Sequence, residues 1–219
     1  MTSNTRGEDR KQALIMAALD IFGEYGLKGA TVRMIADKAD ANIASIPYYF
    51  DSKNGLYRAL IEYITQQIST RISIVCKDIE PILNKQSPNP DEALFTLQHF
   101  MSGMAAMMIE TDEPTSWAKI ITREQANPTD AFDILYDGFI MDTQNRIHTL
   151  IGVYTKLNAQ SNTVKIIGHT LMGQMLGFLI CREDLLRTLN TDKLTPKHVE
   201  QIRHILKMNI QSCLNEFSS

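Results

Sequence analysis

Cysteine, tryptophan and net charge are all scarce in this chain. Three cysteines among 219 residues, Cys76, Cys181 and Cys213, show no paired spacing, which argues against a disulfide framework or a thiolate metal cage and fits a reducing compartment. The formal net charge is −3, so bulk attraction to a polyanion cannot be the whole basis of binding. Up to Arg58, eight Lys/Arg stand against seven Asp/Glu, and charge alone would not reveal a nucleic-acid-binding end. No alternating run is long enough for a strand, and there is no tandem repeat. No glycine-rich phosphate loop and no HExxH pair occur; His198 and His204 are six residues apart and fall on different helix faces. "NPTD" and "CRED" are too generic to define an acid–base pair. An enzyme finds little support, and no metal or organic cofactor is expected. The opening "MTSNTRGEDRKQ" has no apolar h-region, and Lys165, His169 and Gln174 interrupt "VKIIGHTLMGQMLGFLIC". A cytoplasmic location, no membrane partner and a buried helix are expected.

What is present is helical periodicity. Ala13, Ala17, Ile21 and Leu14, Ala18 predict a first helix over 9–25, stopped by the glycines of "YGLKGAT". Thr31 can cap a second short helix carrying Ile35 and Ala36, and Asn42 a third with Ile46 and Phe50 on its inner face. Ser52 caps a fourth, in which Leu56, Leu60, Ile64, Ile68, Ile72, Val75 and Ile79 predict one amphipathic helix to about Ile79. "PILNKQSPNPDE" reads as a loop or boundary. Helices are then predicted over about 91–110, 115–125, 128–153 and 161–189, the third opening on Asn127-Pro128, and a last one at Thr195-Pro196. The chain reads all-α.

A short helix, a tight turn, a second short helix ending in aromatics and a lysine just beyond make a helix-turn-helix pattern. "TVRMIADKADANIASIPYYFDSKNGLYRAL" resembles the DNA-binding domain of the TetR family of bacterial regulators, through its Ile35-Ala36 pair, its Tyr-Phe step and its "SK" opening. "ITREQANPTDAF" and "GHTLMGQMLGFLI" are similar to the ligand-binding domain of the CerR/CecR-like subgroup. The resemblance implies a three-helix DNA-binding head at 1–52, an effector-binding and dimerisation domain at 53–219, and a homodimer on a double-stranded operator.

Positioning contacts go to phosphate and reading contacts to base edges. The resemblance implies that Tyr48 and Tyr49 meet phosphates through their hydroxyls. Lys53, Arg33 and the preceding Arg6, Arg10 and Lys11 can supply positive charge. Asn42 and Ser45 can hydrogen-bond to DNA, Ala44 can approach a thymine methyl, and Ile43 and Pro47 present apolar surface. The competing assignments are core aromatics, solvated charges and a capping role for Asn42. Pro47, at the fifth position of a helix capped by Asn42, would lack an N–H for the Ile43 carbonyl, at a cost of about 3 kcal/mol in a regular helix. Asp40 replaces the family's usual turn glycine and must tolerate an awkward backbone or force another turn.

In the remainder, "LFTLQHFMSGMAAMMIE" is apolar nearly all round, and Met101, Met104 and Met108 share a stripe with Leu94 and Leu97. With Trp117, Ile121, Phe139 and Phe178 from other helices they could line a pocket for a small hydrophobic effector, with His99 and Arg123 at its polar end. Plain core packing competes for each apolar residue, a structural role for His99, and ion pairing for Arg123. Gly168, Gly173 and Gly177 permit close helix approach, either across a dimer interface or inside the chain. The function expected is a ligand-responsive transcriptional regulator acting as a repressor; a protein-binding helical adaptor or a helical enzyme is the alternative.

Overall fold

The computed structural model describes residues 2–77, 79–85, 88–110 and 114–218, with side chains except at 2–6, 110, 114 and 115. The described residues are helical throughout their regular structure. In chain order the helices are α1 (Thr2–Gly29), α2 (Val32–Lys38), α3 (Ser45–Phe50), α4 (Lys53–Cys76), α5 (Glu80–Leu83) and α6 (Pro90–Glu110). They continue with α7 (Pro114–Ala126), α8 (Phe132–Leu135), a π turn (Tyr136–Ile140), α9 (Met141–Thr155), α10 (Asn162–Ile180), α11 (Arg182–Thr188) and α12 (Pro196–Asn215). The chain forms two compact units, Met1–Ile68 with Asp112–Gly138 and Ser69–Thr111 with Phe139–Ser219. These units differ from the linear division expected at residue 52: the first runs on to Ile68 and takes in α7, which packs on α1.

In the first unit α1 packs on α2 and α7, and α2 on α3. Leu14, Ala18, Phe22, Ile35, Ile46, Leu56, Leu60, Ile61 and Ile64 are all at most 1% exposed and form its core. Phe22 meets Tyr57 of α4 edge to face at 5.0 Å, a favoured aromatic geometry. Gly26 adopts φ 68°, ψ 173° and kinks α1 near the predicted stop at Tyr25, although the helix resumes to Gly29. Thr31 caps α2 by accepting from the Met34 N–H, as expected.

In the second unit α6 is the central helix, packed against α9, α10 and α12. Leu94, Leu97, Phe100, Met101, Met104, Ala105 and Ile109 are buried, in line with its near-continuous apolarity. Thr195 caps α12 reciprocally with His198, whose Nδ1 accepts from the Thr195 N–H. α10 is long and apolar enough by composition to cross a membrane. It buries Val164, Ile167, Gly168, Leu171 and Met175 on one face, whereas Ile166 and Ile180 are 65% and 56% exposed on another. The expected burial of this helix is therefore one-sided.

Four boundaries differ from expectation, each for a local reason. α4 ends at Cys76, and Ile79 closes a turn onto the Cys76 carbonyl before Pro81 enters the first turn of α5. Ile79 is buried all the same. Periodicity registers burial and does not register the backbone break. The Asn127-Pro128 pair opens no helix, because Thr129 gives its N–H and hydroxyl to Glu124 and accepts from the Ala131 N–H, so α8 starts at Phe132. The π turn then brings Gly138 against the Thr65 methyl of α4, where a side chain would collide. The helix expected over 161–189 breaks at Cys181 (φ −99°, ψ 28°), beside which Arg182 donates to the Ile109 carbonyl at the end of α6.

His148 on α9 is buried, and a Cβ at Gly168 of α10 would stand 2.7 Å from its ring. Gly168 is thus assigned to internal packing and lies off any free face, correcting its expected place in a dimer interface. Burial, aided by the charge of Lys165, lowers the His148 pKa below the ordinary imidazole value. The unfolded chain therefore takes up this proton at a higher pH than the folded one. Stability is lost as pH falls through the ordinary imidazole range near about 6.5, by at most about 1.4 kcal/mol per pH unit. His148→Gln is expected to lose less melting temperature than wild type between neutral and mildly acidic pH, and Gly168→Ala to cost about 1–3 kcal/mol through overpacking. Parallel thermal melts across pH and a urea titration check both.

Candidate nucleic-acid interface

The approach to α3 starts from how α2 ends. The Ala41 N–H donates to the Ala36 carbonyl at 3.0 Å and the Asp40 N–H to the Asp37 carbonyl at 3.3 Å, a Schellman closure with Asp40 left-handed at φ 47°. Asp is among the few non-glycine residues that tolerate this region, so Asp40 bears the awkward backbone and no other turn geometry is forced.

Asn42 does not cap α3 as expected; its side chain closes the turn before the helix. Its Oδ1 accepts from the Ala44 N–H at 2.9 Å, and Ser45 and Ile46 close tight turns onto the carbonyls of Asn42 and Ile43. The α-helix proper begins at Ser45, with Ala44 as its cap residue. Pro47 is therefore the third helical residue, inside the first turn where N–H groups have no intrahelical partner. The Ile43 carbonyl accepts from Ile46 at 3.2 Å. This corrects the expectation of an interior proline, and the cost assigned to it does not arise.

The six residues of α3 divide into two faces. Ile46 and Phe50 are 1% and 6% exposed and point inward as expected. Ile43 and Tyr48 are 48% and 79% exposed, and Ala44, Pro47 and Asn42 are exposed beside them. Ser45 and Tyr49 are half-buried. The Tyr48 and Tyr49 rings meet edge to face at 4.8 Å, and the Tyr49 hydroxyl lies near Gly7 at the start of α1. A left-handed Asp51 (φ 63°), with the Ser52 N–H bonded to the Phe50 carbonyl at 2.7 Å, turns the chain into α4. Ser52 caps α4 by accepting from the Gly55 N–H, and a Cβ at Gly55 would run into the Phe50 carbonyl.

The cations are placed differently from one another. Arg33 is exposed and pairs loosely with Asp37 at 3.9 Å, a contact worth little. Lys11 lies over the Phe50 ring, 5.7 Å from its centre. Arg10 is exposed, and the Arg6 side chain lies outside the described residues. Lys53 is half-buried, and its Nζ donates to the Leu27 and Ala30 carbonyls at 2.9 and 3.0 Å. Two of its three N–H donors thus hold the end of α1 against α4, a structural duty beyond the expected phosphate contact.

Arg123 has the same kind of duty. Its Nη1 donates to the Phe22 and Gly23 carbonyls at 2.7 and 2.8 Å, and its Nη2 to Glu24 at 3.1 Å. These carbonyls lie in the turn before the kink at Gly26, and a helix carboxyl end favours a cation. The guanidinium therefore serves α1, which corrects its expected place at the polar end of an effector. Next to it Glu124, 1% exposed, accepts from the Tyr57 hydroxyl of α4 at 2.7 Å and from the Thr129 N–H at 3.0 Å. Burial, together with the hydrogen bond to this carboxylate, raises the Tyr57 pKa well above the ordinary phenol value. Sequence reasoning missed Tyr57 and Glu124, because their partnership spans 67 residues and has no local signature.

The residues expected to meet an effector are divided between the units. Trp117, Ile121 and Arg123 belong to the first; His99, Met101, Met104, Met108, Phe139 and Phe178 belong to the second. Met101 and Met104 are buried and Met108, Phe139 and Phe178 half-buried. His99 is exposed and stacks on the exposed Phe95 ring at 4.3 Å, on the surface of α6 and away from the buried methionines. An open groove lined by Glu183, Leu186, Arg187, Asn190, Thr191 and Asp192 contains none of the expected residues.

Two short helices joined by a Schellman turn, with Asn42, Ile43, Ala44, Pro47 and Tyr48 exposed along the second and its entry turn, define a helix-turn-helix DNA-binding head. Residues 14–60 match the family model of bacterial regulatory proteins, TetR family, and residues 94–217 match the C-terminal domain of the HTH-type transcriptional dual regulator CecR. The chain belongs to the TetR family of DNA-binding transcriptional regulators, with a CecR-type C-terminal domain. It is 31% identical over 216 residues to the dual regulator CecR of Shigella flexneri, covering 97% of this chain and 95% of that one. The regulator BetI of Proteus mirabilis is 36% identical over 81 residues, 36% of this chain and 40% of its own. The fold is similar to that of AibR in complex with isovaleryl coenzyme A and operator DNA (TM-score 0.62, 11% identity, 91% of this chain and 97% of that one). It is also similar to a TetR-like regulator from Rhodococcus sp. RHA1 (TM-score 0.57, 17% identity, 94% and 96% covered).

Two outcomes follow from the head's construction. Asp40→Gly is expected to raise stability by up to about 1 kcal/mol, by relieving a left-handed non-glycine residue. Lys53→Met keeps the apolar stem and is expected to cost about 1–3 kcal/mol, since two carbonyls lose a charged donor. Urea titrations of both variants against wild type check the two signs.

Proposed function

We propose that the chain acts as a homodimer on a pseudo-palindromic operator, as a repressor that a small hydrophobic effector releases. The observation that carries this reading is the free face of α10. A Cβ built at Gly173 or Gly177 meets nothing within 4 Å, and Ile166 and Ile180 flank them in the open. α12, which touches α10, exposes Ile205 and Met208 at 51% and 55%. Exposed branched apolar side chains around small residues favour a close, self-complementary helix contact, and a second copy supplies it with two-fold symmetry.

Such a dimer presents two reading heads to half-sites one helical turn, about 10 base pairs, or a multiple of it apart. Within each head Ala44, Ile43 and Pro47 face thymine methyls and groove walls, Ser45 and the Asn42 amide hydrogen-bond to DNA, and Tyr48, Tyr49, Arg33 and Lys53 meet phosphates. Lys53 has one N–H left for that task. Specificity then rests on shape and methyl contacts, with little arginine-to-guanine pairing. The effector is assigned to the methionine-rich α6 of the second unit, with Met101, Met104, Met108, Phe139 and Phe178, because methionines adapt to irregular apolar ligands. It releases DNA to the extent that it binds the non-reading state better. The CecR relationship supports a regulator rather than an enzyme or adaptor, and a cytoplasmic site of action goes with that role.

Genome-fragment selection with purified protein, repeated with candidate hydrophobic compounds, tests the whole reading: a discrete palindrome lost on adding a compound is expected. Random fragments with steep salt dependence, or turnover without a footprint, would contradict it. Gly173→Glu combined with Ile180→Glu is expected to sediment as a monomer and to bind the operator about a hundredfold more weakly or worse; a double variant that stays dimeric refutes this interface.

A further inference from the structure

We propose that the carboxyl-terminal turn of α7 is a positioning element for the reading helix, with Arg123 and Glu124 acting through α1 and α4 and not by touching DNA. The inference rests on the two-headed operator reading above. α3 has six residues, two of them buried, so its own contacts are too few to fix its direction. It packs on α2, α2 packs on α1, and a strained turn at Asp51 joins it to α4. Its place is therefore inherited from how α1 and α4 are held.

α7 contacts both helices. Arg123 takes three successive α1 carbonyls in its planar fork, at 2.7, 2.8 and 3.1 Å. The adjacent Glu124 takes the Tyr57 hydroxyl of α4 at 2.7 Å. About two turns upstream, Ser116 lies against Gly23 so closely that a Cβ there would stand 3.2 Å from it. Just past the helix, the Asp130 carbonyl accepts from Arg58 of α4 at 3.0 Å. Neighbouring residues of opposite charge thus tie two helices of the head to one short helix, through bonds that are short and directional.

The test uses the full-length protein and the operator recovered by selection, alongside a copy with one base pair inserted between its half-sites. Affinity per active molecule is measured over a range of salt for wild type, Arg123→Ala, Arg123→Lys and Tyr57→Phe, well below each melting temperature. Wild type is expected to lose about tenfold or more on the insertion, since head separation is fixed. Arg123→Ala is expected to bind the native operator about tenfold more weakly, to lose most of its discrimination against the inserted one, and to keep the wild-type salt slope. Arg123→Lys should recover part of both, and Tyr57→Phe should show a smaller loss in the same direction. A purely structural role would lower the melting temperature and leave affinity and spacing discrimination per active molecule unchanged, which overturns the proposal. A salt slope reduced by about one also overturns it, because it makes Arg123 a phosphate ligand. A wild type indifferent to the insertion refutes the two-headed reading instead. Should Arg123→Ala not fold, Tyr57→Phe decides, since it removes one hydroxyl and keeps the ring against Phe22.

Discussion

The carbonyls at the end of α1 are the constraint on which the head is built. A helix ends with oxygens that have no intrahelical donor, and the kink at Gly26 interrupts α1 before the helix has finished. Carbonyls on both sides of the kink are met by cations from elsewhere in the chain: Arg123 of α7 for Phe22, Gly23 and Glu24, and Lys53 of α4 for Leu27 and Ala30. Buried or half-buried carbonyls need donors, and a charged donor at a helix carboxyl end gains from the dipole as well. The same contacts that satisfy α1 thus fix α4 and α7 around it. This makes α7 part of the amino-terminal compact unit despite its distance in sequence.

What the sequence made legible was local. Thr31, Ser52 and Thr195 cap the helices they were expected to cap, because a side-chain oxygen and a free N–H three residues on are enough to specify the contact. Ile46 and Phe50 turn inward, and Leu94, Leu97, Met101 and Met104 of the α6 stripe are buried, because burial is what periodicity records. Contacts between a side chain and a distant backbone carbonyl left no such trace. Arg123 therefore read as a ligand or ion-pair residue and Lys53 as a phosphate residue, when each had carbonyl acceptors waiting on α1. The three glycines of α10 looked alike in sequence, yet Gly168 makes room for His148 while Gly173 and Gly177 face open space. Helix length was overread for a related reason: a break at Cys181 or a π turn at Tyr136–Ile140 leaves the apolar rhythm almost intact.

The absence of basic residues from α3 becomes intelligible in this frame. Asn42 spends its side-chain oxygen on the entry turn, Pro47 sits where no N–H is missed, and Ile43, Ala44 and Tyr48 stand outward. This exposed strip carries no charged side chain of its own, and α3 packs on α2 beneath it. A family relationship to TetR-type regulators accounts for the arrangement, and the α1 anchor gives it a physical cause in this chain.

The central claim, that α1, α4 and α7 form one cooperative body carrying the reading helix, is tested most directly by native-state hydrogen exchange on the free protein. The account predicts that the slow amides of α1, of the first half of α4 and of α7 open together, with one free energy and one denaturant dependence. Residues 1–52 opening as an independent unit, while α7 keeps its protection with the carboxy-terminal helices, would contradict it.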